Sequence, residues 1–449
     1  MNRLLRMATC ALVPVLFTAC PARAGGTSPW LLVSDVHYTP FSHDRAPSPY
    51  GADTNDALLT SFLAEARKID PDPPVVIIAG DFLAHGFRLD AAGATMVALA
   101  KRFDAAFPRS QFVIALGNND SSCGDYAAPI DGPFLASAAN AWAPLVDRRG
   151  AAPDFATRFA HDGSYVARLP IPGLRVVVTN DVFDSLRYSA VCAGGQNGAS
   201  EALVRFQNDL RATRAGERNW VLLHIPPGID AYTTSHLTHH LGIVPFLRSH
   251  AREDLDAIVT AAPNRVALAL AGHAHKFGYR ILAESGSPRV PMLLVPSVSP
   301  IFANAPSFLE VTVASDGTLS TVAETSLVGG MWERLGDLST LGVRRFTAPE
   351  LAGLQRRLGR DAALRATFAR LYSGGGRPEI NARNWRSYWC ANTNFTATAY
   401  EACTGQSGWS VVTGRGLWVG LGAGVALVVV AGALFFLLRN PSARAQRRG

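Results

Sequence analysis

Seven residues of this 449-residue chain have the types and spacing to hold metal ions: Asp35, His37, Asp81, Asn118, His224, His273 and His275. Each closely follows a short apolar run. Trp30–Ser34 leads into Asp35-Val36-His37, Val75–Ala79 into Gly80-Asp81, and Phe112–Leu116 into Gly117-Asn118-Asn119-Asp120. Farther on, Trp220–Leu223 leads into His224-Ile225-Pro226-Pro227, and Val266–Ala269 into Gly272-His273-Ala274-His275. Taken singly, an Asp-x-His is a turn with a capping Asp, a Gly-Asp is commonplace, and a His at a strand end is a solvated residue. Five strand ends delivering Asp, Asn or His in one chain describe a metal centre, because ligands of open α/β sheets collect beyond the carboxyl ends of the strands. Asp35 and His37, like His273 and His275, are two apart. On an extended segment such residues point the same way, so each pair is expected to reach one ion. Mixed imidazole and carboxylate donors suit zinc, with manganese or iron as alternatives, and suit magnesium poorly. A bridging carboxylate, here Asp81, can hold two divalent metal ions roughly 3.5–4 Å apart; such a pair clamps a phosphate and supplies hydroxide for in-line attack.

The elements that must position these residues follow from the same runs. With Leu174–Thr179 and Met292–Val295 they are continuous and apolar, as strands covered on both faces are. Amphipathic helices lie between them. Thr54 is expected to cap one carrying Leu58, Leu59, Phe62, Leu63 and Ala66, and Ser200 another carrying Leu203, Phe206 and Leu210. Val311 and Val313 lead into Asp316-Gly317, a hairpin signal. The sum is an α/β layered domain with a mostly mixed sheet, assigned to residues 25–325. Residues 326–412 read differently. Thr347-Ala348-Pro349-Glu350 resembles a capping box ahead of Leu351, Leu354 and Leu358, and Gly374-Gly375-Gly376 ends the helical stretch. The Trp/Tyr-rich segment Trp385–Cys403 is expected to pack on the catalytic domain as an extension.

Both ends of the chain speak of export. Arg3 and Arg6 precede the apolar run Met7–Cys20, and Ala22-Arg23-Ala24 supplies a small-x-small cleavage pattern, so residues 1–24 read as a signal peptide. Cys20 is either removed with it or lipidated. Leu417–Leu438 is 22 residues without a charge, the length of a transmembrane helix, and Arg439, Arg444, Arg447 and Arg448 follow in the tail 439–449. The positive-inside rule places that tail in the cytoplasm and the catalytic domain on the non-cytoplasmic side. The basic surplus belongs to these ends. Between them the chain carries 35 basic and 35 acidic residues, which leaves no electrostatic footprint for nucleic acid. Four cysteines remain after the leader, none in a CxxC pair, and an oxidising compartment favours disulfides. Of three connectivities, Cys123–Cys192 with Cys390–Cys403 keeps each pair within one region.

The order of motifs resembles the calcineurin-like metallophosphoesterases, whose pattern is DxH, GD, GN(H/D), H and GHxH. The resemblance covers roughly residues 29–313 and implies a four-layer α/β/β/α sandwich. It also implies that Asp35, His37 and His275 hold one metal, Asn118, His224 and His273 the other, and that Asp81 bridges. Within the family, three segments are similar to the acid sphingomyelinase-like branch: Gly80-Asp81-Phe82-Leu83-Ala84-His85, His224-Ile225-Pro226-Pro227-Gly228, and Pro296–Pro300 followed by Ala305-Pro306-Ser307-Phe308. The C-terminal helical region with paired cysteines fits that branch too.

One departure matters. Where the family has a histidine after the metal-binding Asn, this chain has Asn119, which can donate a hydrogen bond to a phosphate but cannot supply a proton near neutral pH. His85 stands in the branch's other proton-donor position, so the general-acid role moves there. His236, His239 and His240 either rim the cleft or lie in a solvated loop; His43, His161 and His250 read as structural or surface residues, and Asn180 as non-catalytic. The expected activity is phosphodiester hydrolysis, with a lipid or choline-type head group placed ahead of a nucleotide because a membrane anchor holds the site near lipid. Hydrolysis of phosphomonoesters, nucleotides or polyphosphate by the same site is the enzymatic alternative, and a non-catalytic envelope binding protein the other.

Overall fold

A computed structural model describes residues 28–190, 192, 197–237, 242–248, 265–284 and 287–405. The expected signal peptide, apolar span and basic tail lie outside the described residues, as do His239, His240 and His250. Among the described residues, no helix is long and apolar enough to cross a membrane.

The apolar runs form strands. In chain order they are β1 (Trp30–Val33), β2 (Val75–Ile78), β3 (Gln111–Ile114), β4 (Tyr165–Arg168), β5 (Leu174–Val178) and β6 (Arg218–Leu222). Then come β7 (Val266–Ala271), β8 (Gly278–Glu284), β9 (Ser287–Leu294), β10 (Ser307–Val313), β11 (Leu319–Val328) and β12 (Met331–Asp337). The helices are α1 (Asp56–Ile69), α2 (Ala92–Ala106), α3 (Pro133–Val146), α4 (Phe155–Asp162) and α5 (Ala199–Arg211). Toward the C-terminus follow α6 (Ala348–Leu358), α7 (Ala362–Tyr372), α8 (Trp385–Ala391) and α9 (Ala397–Thr404).

Two mixed sheets of six strands result, in the orders β12-β11-β10-β1-β2-β3 and β4-β5-β6-β7-β9-β8. β1, β2 and β3 run parallel, as do β5, β6, β7 and β9, so their carboxyl ends gather on one side of each sheet. The sheets meet where Trp30 of β1 packs on Trp220 of β6, ring centroids 5.3 Å apart. On the far face of the first sheet, Phe62 of α1 lies against Phe308 of β10 and Phe103 of α2 against Phe112 of β3. On the far face of the second, Val177, Val221 and Ala269 pack with Phe206 and Leu210 of α5. The contacts therefore run helix, sheet, sheet, helix. Burying each such side chain is worth about 1.5–3 kcal/mol.

Several local expectations change. α1 is capped by Asn55, whose Oδ1 accepts from Leu58 N at 2.9 Å, rather than by Thr54, whose own amide is committed to His37 O. α5 begins at Ala199 behind Gly198, so Ser200 lies inside the helix and caps nothing. Thr347 does occupy the N-cap of α6, but its side chain makes no capping bond and the box is not formed. The β10–β11 hairpin closes at Asp316-Gly317 as expected, with Ala314 N on Thr318 O and Gly317 at φ +77. Its partner β12 carries the first sheet on to Asp337, past residue 325.

Both expected disulfides are present, with Cα–Cα separations of 5.9 Å for Cys123–Cys192 and 5.8 Å for Cys390–Cys403. The C-terminal helices are stitched to the second sheet and to each other. Tyr279 of β8 donates to Gln355 of α6, Gln355 donates on to Trp389 O, and Trp389 Nε1 returns a bond to Gln355 O.

Candidate metal centre

The loops after β1, β2, β3, β6 and β7 lie side by side. Asp35 N donates to Gly80 O, His37 N to Asp81 O, and Gly272 N to His224 O, so each loop fixes its neighbour. The chain does not stay extended through the site. Asp35, His37, Asp81, His273 and His275 have φ of +48, +43, +54, +62 and +60, all left-handed. A non-glycine residue there costs about 1–2 kcal/mol, and such strain concentrates at functional sites.

This geometry corrects the expectation of paired aim. Asp35 and His37 do converge, and His275 joins them, while His273 turns instead to Asp81 and His224. In the first group His275 Nε2 lies 3.3 Å from Asp35 Oδ1 and 3.1 Å from His37 Nε2. In the second, His224 Nε2 lies 3.3 Å from both Asp81 Oδ2 and Asn118 Oδ1. The same Asp81 Oδ2 is 3.4 Å from His37 Nε2, so one carboxylate oxygen touches both groups.

The hydrogen bonds behind these residues identify which atoms face inward. His37 Nδ1 is 3.0 Å from Leu83 O and His224 Nδ1 is 2.7 Å from Ala79 O. A carbonyl can only accept, so both Nδ1 atoms carry protons and, in the neutral rings, both Nε2 atoms present lone pairs. Asn118 Nδ2 donates to Asn119 Oδ1 and Asp125 Oδ1, which turns Asn118 Oδ1 toward His224. Lone pairs from imidazole, amide and carboxylate thus converge, and these donors fit a divalent cation in each group. The field they make is strong. Burial opposes a charge on His37 and His224, yet Asp81 foremost, helped by Asp35, holds them up to about 9 and about 10. Burial also opposes the Asp81 carboxylate, which His224 and His37 nevertheless keep below its usual range. Burial itself, aided by the neighbouring His224 and His37, pushes His273 and His275 down.

Buried carboxylates support the ligands from behind. Asp120 accepts from Phe82 N, Leu83 N and Gly117 N, and Asp181 accepts from His224 N and Ile225 N. Ser34 Oγ donates to Asp35 Oδ2, and Asn119 N to Asp81 Oδ1. Two glycines are required by close approach: a Cβ on Gly117 would land in the Asp81 carboxylate, and one on Gly272 would meet the Ser34 hydroxyl and Asp35.

His85 stands beside the first group, its ring stacked 4.3 Å from that of His37. Its partner, Asp53, went unnoticed in the sequence. Asp53 Oδ1 is 3.1 Å from His85 Nδ1, and Oδ2 accepts from His85 N at 3.0 Å. Nothing in the pattern around Asp53 marks it; it reaches His85 because Gly51 N bonds Pro300 O and Thr39 N bonds Thr54 O, folding that loop over the site. Asp120 and Asp181 were also missed as supports: Asp120 closes the Gly117-Asn118-Asn119 turn, while Asp181 follows β5, whose end carries no ligand motif. Asn119 is buried beside Asp81, its Oδ1 taken by Asn118. His236 lies away from the cluster, stacked on Tyr232, and His161 is held between Asp131 and Glu201. Asn180 is structural, bonding Asp162 O and Val182 N.

A cavity of about 390 Å³ opens from Asp81, Asn118, His273, His275 and His85. Tyr126, Phe246 and Phe302 wall it on the catalytic side, and Phe368, Tyr372 and Tyr388 on the other. The C-terminal extension, expected only to pack on the domain, thus forms one side of the cleft.

Residues 29–277 match the model of the calcineurin-like phosphoesterase family. Sphingomyelinase phosphodiesterase D of Dictyostelium discoideum is 24% identical over 271 residues, covering 59% of this chain and 58% of that protein. Acid sphingomyelinase-like phosphodiesterase 3b of Mus musculus is 26% identical over 262 residues, 56% of this chain and 54% of its own. The chain therefore spans a little over half the length of the curated relatives it matches. A solved 5′-nucleotidase from Candida albicans aligns over 68% of this chain and 52% of its own, with 12% identity and a TM-score of 0.36. With a family match across more than half its length, this chain belongs to the calcineurin-like phosphoesterases, metal-dependent phosphoester hydrolases, on the branch it shares with the acid sphingomyelinase-like phosphodiesterases.

Proposed function

We propose that the chain hydrolyses phosphodiesters at a two-metal centre. Asp35, His37 and His275 would hold one ion, Asn118, His224 and His273 the other, and Asp81 would bridge. The observation that carries this reading is the single Asp81 oxygen lying 3.4 Å from His37 Nε2 and 3.3 Å from His224 Nε2, with both rings fixed in the ligating tautomer. Bound there, two divalent cations, zinc or else manganese or iron, would polarise a phosphoryl oxygen and activate water for in-line attack.

The chain's own residues supply the rest. His85 Nδ1 is bonded to Asp53, which leaves Nε2 to face the cavity. From Nε2 a proton passes to the departing alkoxide oxygen as its bond to phosphorus breaks, and Asp53 steadies the imidazolium before transfer. Asn119 Oδ1 is occupied, so its amide N–H remains to donate to a phosphoryl oxygen. Lipid and nucleotide diesters both meet this description, and the relatives' names support a phosphodiester over a monoester. The exported, membrane-tethered placement drawn from the two ends belongs to the same proposal.

The test is a panel on the metal-loaded full-length protein: bis-p-nitrophenyl phosphate, p-nitrophenyl phosphate, sphingomyelin micelles, ATP and polyphosphate. Turnover of the diester above the monoester is expected. Exclusive release of inorganic phosphate from monoesters would overturn the diesterase reading and leave the metal centre standing.

A further inference from the structure

The neutrality of the chain between its two ends hides a separation of charge. Residues 25–325 hold 23 basic and 29 acidic side chains, whereas residues 326–405 hold 11 arginines against 6 acids. The surplus sits on the C-terminal helices, where five arginines meet no carboxylate. Arg356 and Arg360, at the end of α6, and Arg383, in the turn before α8, are exposed and make no side-chain hydrogen bond or ion pair among the described residues. Arg365 and Arg386 bond only carbonyls. Arg365 Nη1 donates to Leu358 O at 3.0 Å, and Arg386 Nε and Nη2 donate to Cys403 O at 3.1 and 2.9 Å. The acids of the same helices are few. Glu350 pairs with Arg344 and Glu379 with Lys276, Asp361 caps α7 by accepting from Leu364 N, and Glu401 lies half-buried on α9.

Two tryptophans lie among these arginines. Trp385 and Trp389 are both half-buried on α8, with ring centroids 6.0 Å apart. Arg365 lies over the Trp385 ring at 4.4 Å. The Trp389 ring packs on Gly359, which shares a helix face with Arg356 three residues earlier and is followed by Arg360. Guanidinium beside indole suits a surface that rests on lipid: the cation meets head-group phosphate, and the indole settles at the boundary between head groups and acyl chains.

The course of the chain points the same way. The Cys390–Cys403 bridge and the bonds from Arg386 to Cys403 O hold the end of α9 against α8. Only 11 residues then separate Gly405 from the uncharged run Leu417–Leu438. A flexible chain of that length spans about 20 Å, so the arginines lie within reach of any bilayer that the run enters. The paired indoles and this apolar run favour lipid over another polyanion.

We infer that Arg356, Arg360, Arg365, Arg383 and Arg386, with Trp385 and Trp389, form a docking surface for an anionic lipid bilayer. This deepens the membrane-tethered placement proposed above and rests on it. Tyr388, on the same short helix, lines the metal cavity, so docking α8 brings that cavity beside the bilayer.

The experiment reconstitutes the full chain into bilayers of phosphatidylcholine alone or with about 30% phosphatidylglycerol, and reads amide hydrogen exchange over residues 356–365 and 383–391. The anionic bilayer should slow exchange in both segments, and raised salt should reverse the slowing. Each arginine near an anionic leaflet changes the docking equilibrium about fivefold, so replacing three by Arg356→Gln, Arg360→Gln and Arg383→Gln together should weaken it about 100-fold. That triple variant should exchange on the anionic bilayer as on the neutral one, while lysine at the same three positions should keep the slowing. Both variants change exposed side chains, and an unchanged melting temperature shows that they fold. Equal exchange on the two bilayers, or slowing that survives the triple variant, would overturn the docking surface. If a carbonate wash strips the full chain from both bilayers, the tether reading fails by itself, and the surface is then read by co-flotation of the full chain with vesicles of the same two compositions. Capture by the anionic vesicles alone, lost in the triple variant, supports the surface; equal flotation with both compositions overturns it.

Discussion

Replacing Asp53 with Ala removes the group that fixes the proposed proton donor without touching a metal-ligand position. Two contacts disappear: Asp53 Oδ1 to His85 Nδ1 at 3.1 Å and Asp53 Oδ2 to His85 N at 3.0 Å. A hydrogen bond to a charged group is worth about 1.5–3 kcal/mol, and the side chains of His85 and Asp53 are 34% and 12% exposed, so solvent screens the pair toward the lower end. About 1.5–2 kcal/mol corresponds to a 10- to 30-fold loss in the step that His85 serves. His85→Gln should cost more, in the range of about 10²- to 10⁴-fold for a general acid. Both losses should fall on a diester with an alkoxide leaving group, such as glycerophosphocholine. Bis-p-nitrophenyl phosphate should be spared, because p-nitrophenolate departs without a proton. The assay is kcat on both esters for the unmodified protein and the two variants. If Asp53→Ala slows both esters alike, the Asp53–His85 pair acts in binding or folding, and the acid assignment fails.

Other expectations follow from particular contacts. Gly117→Ala should abolish metal binding while the strand beneath it persists, since its Cβ would displace the Asp81 carboxylate; metal content with a far-ultraviolet spectrum checks both. Glu324 of β11 is buried with neither carboxyl oxygen hydrogen-bonded, the Ser307 hydroxyl being engaged by Ala305 O and Ser326. Burial raises its pKa in the folded state well above the usual 4.5. Below that usual value both states bind the proton and the group is neutral to stability; above it the unfolded chain ionises first, so stability falls as pH rises toward the folded-state pKa. Glu324→Gln should remove that decline and raise the melting temperature near pH 7, and an unchanged pH slope would refute the reasoning. Cys390→Ser with Cys403→Ser should lower stability by about 2–3 kcal/mol, read by denaturant melts, because the bridge closes only a short loop around α8 and α9.

The strands were legible because their burial is two-sided: Val75–Ile78 is apolar and buried at every position. The ligand positions were legible for the complementary reason, since a polar residue just past such a run has only the sheet edge to occupy. How the ligands divide was less so. Period-two spacing assumes an extended chain, and none of these four residues is extended: Asp35 and His37 still converge, whereas His273 and His275 reach different partners. Asn55 displaces Thr54 as the cap of α1 because the Thr54 amide is drawn to His37 O, a contact between loops that no local pattern records. Asp53 was invisible for the same reason: it lies 32 residues before His85, and tertiary folding alone brings them together.

The account's central claim is that Asp81 joins two metal positions, and metal content measures it directly. Protein purified in zinc, then passed through a desalting column, should carry two ions per chain by inductively coupled plasma mass spectrometry. Asp81→Ala should carry close to none, and His37→Ala should lose mainly one, since His37 belongs to one group and Asp81 touches both. Retention of two ions per chain by folded Asp81→Ala protein would contradict the bridging assignment and the two-metal centre built on it.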